Sequence, residues 1–251
     1  MSRKSLFAVV ATFCLFVSCK KNRNSGSADN PSGVNKAKLY ILDYHSLSLS
    51  RVDTFHLSYD KDGRLTGAVS SVSKYTFSYQ TNSAVEWDFV GTGQPSVQER
   101  DFYTNGLIDS SFRIQDGSDS MIGKYEYNGN LLSKETLRWI YQGTSGIFLQ
   151  VSYVYDANGN TIKTIQTVGQ NSYQYINEYT YTDKPGPLPV VLPVNVQVPA
   201  KNLPATQVVA NYLGGSKSSI TFDYVYDSAG RLIKETDTED DGEVTVKTYI
   251  Y

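Results

Sequence analysis

One short phrase recurs along this chain and limits its fold more than any other feature: a tyrosine, an aspartate, two variable residues and a glycine. It stands as Tyr59-Asp60-Lys61-Asp62-Gly63-Arg64-Leu65, as Tyr155-Asp156-Ala157-Asn158-Gly159-Asn160-Thr161 and as Tyr226-Asp227-Ser228-Ala229-Gly230-Arg231-Leu232. Shorter versions are Tyr103-Thr104-Asn105-Gly106-Leu107 and Tyr127-Asn128-Gly129-Asn130-Leu131, with weaker echoes beginning at Tyr79 and Tyr181. Successive leading tyrosines lie 20 to 28 residues apart, except for 45 between Tyr181 and Tyr226, and Tyr251 falls 25 further on. A period in the twenties is one supersecondary unit.

The residues of the unit explain its shape. Aspartate at the start of a turn accepts a hydrogen bond from a backbone N–H two residues on, and glycine supplies the positive φ that closes a short hairpin. Before the turn, Tyr-x-Tyr occurs at 125/127, 153/155, 173/175, 179/181, 224/226 and 249/251. Residues two apart on a strand share a face. The stretch 147–155 therefore puts Ile147, Leu149, Val151, Tyr153 and Tyr155 on one apolar, aromatic face. After the turn the strand is more polar, as in Thr161, Lys163, Ile165 and Thr167. No stretch has a convincing 3.6-residue period with caps. The expected fold is all-β: an antiparallel meander of such hairpins forming a large curved or barrel-like sheet over residues 38–251.

Composition narrows the function classes. Tyrosine accounts for 20 of 251 residues against 10 phenylalanines, which argues against disorder, since disordered chains are poor in aromatics. A net charge of −2 gives no reason to expect nucleic acid as a partner. The two cysteines, Cys14 and Cys19, both lie near the N-terminus, so a disulfide scaffold is excluded.

Residues 1–18 read as an export signal: Arg3 and Lys4 supply the positive start, and Leu6 to Val17 is too short an apolar run to cross a bilayer as a helix. The run ends in Phe16-Val17-Ser18-Cys19, which resembles the lipobox of bacterial lipoproteins, with Phe16 where the usual pattern has leucine. That resemblance implies lipidation of Cys19. The other reading is an ordinary secretory signal that leaves Cys19 as a lone thiol. Residues 20–37 carry no aromatic and read as a flexible tether of roughly 23 Å r.m.s. span.

The phrase Tyr-Asp-x-x-Gly-Arg-Leu at 59–65 and 226–232 resembles the YD repeat of the Rhs family. With the lipobox, Tyr-Thr-Asp-Lys-Pro-Gly-Pro at 181–187 and Ala-Lys-Asn-Leu-Pro at 200–204, the chain resembles more closely a group of small YD-repeat bacterial lipoproteins. That resemblance implies a porin-like or curved antiparallel sheet and a lipid-anchored place in the cell envelope, at the outer membrane facing the periplasm. It implies no activity.

Six of the eight prolines fall between Pro185 and Pro204. Proline cannot donate to a sheet ladder, so 185–204 reads as an extended insertion. Its valines suit a cover packed over an open end or face of the sheet; a mobile binding loop is the other reading.

Candidate chemistry is scarce. His45 and His56 lack further ligands for zinc, and neither stands in sequence beside a nucleophile motif. Asp237, Glu239, Asp240, Asp241 and Glu243 surround Gly242 in a pattern like the start of a calcium loop. Thr248 occupies the twelfth place, however, so they read as an exposed hairpin turn. Asp109, Asp116 and Asp119 read as solvated. The tyrosine rows are either cross-strand packing or a surface for glycan or protein, with Trp87 and Trp139 able to serve either. The expectation is a non-enzymatic, monomeric envelope lipoprotein without metal or cofactor, binding or scaffolding a glycan or envelope protein. An integral outer-membrane barrel and, more remotely, a hydrolase are the alternatives.

Overall fold

The computed structural model describes residues 36–45, 50–79, 84–91 (by backbone), 96–104, 107–115, 119–141, 144–169, 173–185, 200–211 and 215–251. The signal segment, Cys19, most of the tether, Asp116 and residues 186–199 of the proline-rich insertion lie outside them.

Sixteen strands follow one another in the described chain. They are β1 (Leu39–His45), β2 (Ser50–Tyr59), β3 (Leu65–Val69), β4 (Ser73–Tyr79), β5 (Ala84–Gly91), β6 (Val97–Thr104), β7 (Leu107–Gln115) and β8 (Asp119–Asn128). The second half comprises β9 (Leu131–Tyr141), β10 (Thr144–Tyr155), β11 (Thr161–Val168), β12 (Tyr173–Pro185), β13 (Asn202–Asn211), β14 (Lys217–Tyr226), β15 (Leu232–Glu239) and β16 (Val244–Ile250). Each strand pairs antiparallel with the next, and β16 returns to pair with β1, so the meander closes into a barrel. The seam runs from Leu39↔Ile250 to His45↔Val244 and is extended by Lys38 N–H donating to the Ile250 carbonyl at 2.6 Å. Closure removes the unpaired edges that an open sheet would present. Ala37, which composition assigns to the tether, is already buried at 2% exposure, and its carbonyl accepts the Tyr59 hydroxyl at 2.9 Å.

Alternation decides what lies inside. On β6, Val97, Glu99, Asp101 and Tyr103 point inward, while Gln98, Arg100, Phe102 and Thr104 are exposed. The Tyr-x-Tyr pairs occupy the inward positions: Tyr125, Tyr175, Tyr179 and Tyr249 are buried, and Tyr127, Tyr153, Tyr155, Tyr181, Tyr224, Tyr226 and Tyr251 partly so. Across the seam, Tyr249, Tyr40, Phe55 and Tyr75 form a row with ring centroids 5.5 to 6.1 Å apart. Ala68 of β3, fully buried, is small enough to let Phe55 and Tyr75 meet. Tilted aromatic pairs at this spacing add to what burial alone contributes.

The repeated phrase builds one rim. Asp227 Oδ1 accepts the amides of Ala229 and Arg231 at 2.9 and 2.8 Å, and its Oδ2 accepts Arg231 Nε at 2.6 Å. Gly230, at φ 76°, donates back to the Asp227 carbonyl at 3.0 Å. The Arg231 guanidinium then lies 4.6 Å from the ring centre of Tyr251, whose hydroxyl donates to the Leu232 carbonyl at 3.0 Å. The same parts recur at Asp60, Gly63 and Arg64, with Arg64 over Tyr79 at 4.6 Å and the Tyr79 hydroxyl on the Leu65 carbonyl at 2.7 Å. At Asp156 and Gly159, Asn160 replaces the arginine. Tyr155, Tyr181 and Tyr224 likewise donate to the carbonyls of Leu132, Thr161 and Pro204, each belonging to the preceding hairpin. The leading tyrosine of a unit thus clamps the turn exit of the unit before it at Tyr79, Tyr155, Tyr181 and Tyr251. In the unit led by Tyr226 it is Tyr224 that reaches back, and the Tyr226 hydroxyl is buried without a partner among the described residues.

Each such hairpin also slips by one residue, and this corrects the sequence reading of its faces. Tyr59, Tyr103, Tyr127, Tyr155 and Tyr226 pair with Leu65, Ile108, Leu132, Thr161 and Leu232, and the ladder then skips one residue on the departing strand. A one-residue slip turns all later side chains to the other face. Thr161 therefore points inward and Thr164 follows it, while Lys163, Ile165 and Thr167 stand on the outer face opposite Val154, Ser152 and Gln150. A second slip at Phe148 sets Ile147 opposite exposed Arg138, taking it out of the inward row of Leu149, Val151, Tyr153 and Tyr155.

The insertion is also shorter than 185–204. Pro185 ends β12 opposite Asn202, and Pro204 lies within β13 opposite Tyr181. Both sit at register shifts, where a missing N–H costs the ladder least. The returning chain is held to the neighbouring turn: Asn160 Oδ1 accepts the amides of Lys201 and Asn202 at 2.8 and 2.9 Å, and Leu203 is buried behind them.

Candidate functional site

The inward rows that begin with tyrosine continue into charge. Stepping back by two from Tyr251 and Tyr249 reaches Lys247, and stepping back from Tyr103 reaches Asp101 and Glu99. Two separate networks result.

In the first, Lys247 Nζ lies 2.6 Å from Glu235 Oε1 and 2.8 Å from Asp237 Oδ2, and the Tyr249 hydroxyl donates to Glu235 Oε2 at 3.3 Å. Burial pushes the Glu235 carboxyl up to about 7 against the pull of Lys247. Burial would push Lys247 down, but Glu235 and Asp237 outweigh it and hold the ammonium charged. Asp237, which sequence places in the exposed acidic turn, is an inward residue of this network. Its β15 position alternates with the outward Thr236 and Thr238, which the turn composition conceals.

In the second, Arg113 Nε donates to Glu99 Oε2 at 2.5 Å, and the Tyr153 hydroxyl donates to Glu135 Oε2 at 3.1 Å. Burial pushes Glu135 up to about 7. Burial first, and then the neighbouring Glu99 charge, push Asp101 up to about 8. Beside these lies a neutral chain in which Asn177 Nδ2 donates to Thr164 Oγ1 at 3.0 Å and Gln207 Nε2 to Asn177 Oδ1 at 3.3 Å.

Asp60, Asp156 and Asp227, with Tyr59, Tyr155, Tyr226 and the glycines Gly63, Gly159 and Gly230, gather on the rim where both the N-terminal segment and Tyr251 end. Their role is in the turn: the Asn160 and Arg231 amides hold the carboxyls of Asp156 and Asp227 below the usual range. The acidic hairpin 239–243 lies at the opposite rim and has the same backbone pattern, with Gly242 at φ 90° donating to the Glu239 carbonyl at 3.0 Å. One carboxylate oxygen each from Glu239, Asp241 and Glu243 lies within 4.8 Å of the others. Hydrogen bonds already engage two of these side chains: Glu243 Oε2 accepts the Tyr44 hydroxyl of β1 at 2.6 Å and Asp241 Oδ1 the Glu243 amide at 3.1 Å. Three oxygens are also few against the six to eight that calcium takes.

At the rim the structure also brings together a group that sequence does not indicate. Ser50 Oγ lies 3.0 Å from His45 Nδ1, and His45 Nε2 lies 2.9 Å from Asp43 Oδ1. Three features separate it from a nucleophilic triad. The imidazole is half exposed, Ser50 is exposed, and Asp43 Oδ1 receives no directed hydrogen bond. His56 stands at the other end of the β1–β2 ladder, opposite Leu39, so the histidines do not converge. Exposed Asp109 accepts Ser110 at 3.3 Å, and Trp139 stands at the strand end against Gly146.

The outer face is mixed. Phe102, Phe112, Val154 and Ile162 are exposed there, but so are Arg100, Lys124, Arg138, Glu178 and Asp223, and Glu126–Lys134 and Lys163–Glu178 pair across strands at 3.9 and 3.6 Å.

No protein-family model matches the chain, and no curated protein sequence matches it. Among solved structures it is similar to a porin-like protein from Bacteroides vulgatus ATCC 8482, with TM-score 0.62, 12% identity, and coverage of 86% of this chain and 99% of that one. It is also similar to a porin-like protein from Bacteroides uniformis ATCC 8492, with TM-score 0.59, 13% identity, and coverage of 85% and 96%. At such identities the likeness is one of fold, and it agrees with the all-β, closed antiparallel meander.

Proposed function

We propose that the chain is a non-enzymatic module of the bacterial cell envelope, tethered by lipid at Cys19, whose barrel stands in water beside the outer membrane rather than within it. The observation that carries this reading is the outer face. A membrane barrel presents an apolar band about 25 Å tall, and each Lys or Arg at its midplane costs roughly 2–4 kcal/mol. Here Arg100, Lys124, Glu178 and Asp223 are exposed near the middle of their strands. The five residues of β3 reach only about 17 Å at ~3.3 Å per residue.

Most inward tyrosines are engaged in packing and in hydroxyl bonds to carbonyls, carboxylates or Ser111, so ligand binding falls to the outer face and the rims. There a glycan or an envelope protein is the partner class. Exposed outward apolar residues and the likeness to porin-like folds favour an integral barrel as the second reading.

Detergent separates the two. Residues 20–251, purified without it, are expected to run as a monodisperse monomer. A chain that aggregates in buffer and becomes monodisperse only in detergent would reverse the assignment. Full-length protein is expected in the membrane fraction, leaving it when Cys19→Ser removes the acyl site.

A further inference from the structure

The charges that the barrel buries beside β6 do not balance. Glu99 and Asp101, two residues apart on that strand, both point inward and are 3% and 7% exposed. Among the described residues that face them, β7 contributes one cation, Arg113, spent on Glu99 Oε2, together with Ser111. From β8 comes Tyr125, whose hydroxyl bonds Ser111 at 3.1 Å. A third carboxylate, Glu135, comes from β9, satisfied at Oε2 by Tyr153 of β10. Three carboxylates thus surround one guanidinium.

The side chains of Glu99 and Asp101 meet, yet Glu99 Oε1 and Asp101 Oδ1 are closed off from solvent with no donor directed at either. Two ionised carboxylates so placed would repel each other where little water screens them. The unpartnered oxygens would also carry the full cost of unmade hydrogen bonds. One proton relieves both: a neutral carboxyl becomes an O–H donor to the oxygen beside it.

We propose that Glu99 and Asp101 share a single proton inside the folded barrel at neutral pH, and that this proton is a pH-sensitive latch on the wall formed by β6 to β9. The pair titrates as a unit. Burial raises both groups, and the Glu99 charge raises Asp101 further, to about 8 from an ordinary 3.8. Between those values the folded chain keeps a proton that the unfolded chain gives up. Unfolding therefore releases it, and stability falls as pH rises through the window. Glu135 and Glu235, each raised to about 7, act in the same direction, so substitution is needed to isolate the pair.

Asp101→Asn keeps the shape and supplies an amide N–H where the shared proton would sit. The variant is expected to match the wild type in melting temperature near pH 5 and to exceed it near pH 9, with proton release on unfolding near pH 7 lower by about one. In the wild type, infrared spectra near neutral pH should carry the C=O stretch of protonated carboxylic acid, weakened in the variant. A folded variant with unchanged proton release overturns the proposal. So does a wild type without the acid band, a measurement that needs no variant to fold. A wild-type melting temperature near pH 9 that rises with sodium or calcium beyond a matched choline control, without the acid band near neutral pH, would place a cation there and also overturns it.

Discussion

Removing one ammonium group tests how dry the barrel interior is. Lys247 is the cation facing Glu235 and Asp237, at 2.6 and 2.8 Å, and the three side chains are 12%, 2% and 16% exposed. Lys247→Met keeps the volume and apolar stem and leaves two carboxylates facing each other. Breaking a buried pair in this way costs about 3–5 kcal/mol, most of it the penalty of the charge left behind. Near pH 8 that full loss is expected in urea unfolding followed by circular dichroism and tryptophan fluorescence. Near pH 5 the loss should fall below half. Glu235, already raised to about 7 by burial and now without Lys247 to draw it down, takes a proton and removes the uncompensated charge. Adding Glu235→Gln should recover most of the loss near pH 8, and the double-mutant cycle gives the coupling directly. A loss under about 1 kcal/mol near pH 8, or equal losses at both pH values, would mean that the network is wet and the interior reasoning wrong.

Three further outcomes follow from the repeat and from the buried acids. Gly230→Ala places a side chain at φ 76° with no atom within 4 Å of the new Cβ, so conformation alone should cost about 1–2 kcal/mol in urea unfolding. Tyr155→Phe deletes the 2.7 Å bond to the Leu132 carbonyl and should cost about 1 kcal/mol in the same assay, leaving the circular dichroism spectrum unchanged. Thermal melts across pH should place the optimum on the acid side of neutrality. Asp156 and Asp227, depressed, lose their contribution only below the ordinary carboxylate range, whereas Glu135 and Glu235 lower stability from that range up to about 7. A flat profile from pH 5 to 8 would contradict the burial of both glutamates.

Much of the fold is legible in the sequence because the unit carries its own geometry. Tyr226, Asp227, Gly230 and Arg231 each have a role that their chemistry announces: ring, acceptor, positive φ, and a cation that stacks on the next unit's tyrosine. The faces are less legible. A slip at Ile162 or Phe148 leaves no mark in composition, yet it moves Lys163 and Ile147 to the outer face. The buried charges were hidden for another reason. Glu99 and Asp101 sit in Val-Gln-Glu-Arg-Asp-Phe-Tyr, where with Gln98 and Arg100 they make an unbroken polar run that looks like a solvated strand. Only the step of two back from Tyr103 marks them as inward. The same step from Tyr251 through Tyr249 finds Lys247. Asp237 was obscured by the acidic turn that follows it, although its ladder partner Phe222 belongs to the inward row. The Ser50, His45 and Asp43 group depends on the β1–β2 register, which pairs His45 with Ser50.

The claim that the outer wall faces water is tested most directly at the middle of a strand. Lys124 is exposed at the centre of β8, between Ser110 and Thr136 of its neighbours. On the proposed reading, in which Cys19 is acylated and Cys14 leaves with the leader, Lys124→Cys would be the one free thiol of the mature chain. A polarity-sensitive fluorophore on that thiol, in lipid vesicles carrying the full-length protein, should emit as it does in water and be quenched by iodide in the buffer. Emission as in hydrocarbon, quenched by nitroxide-labelled lipid and not by iodide, would put the barrel in the membrane and contradict the account.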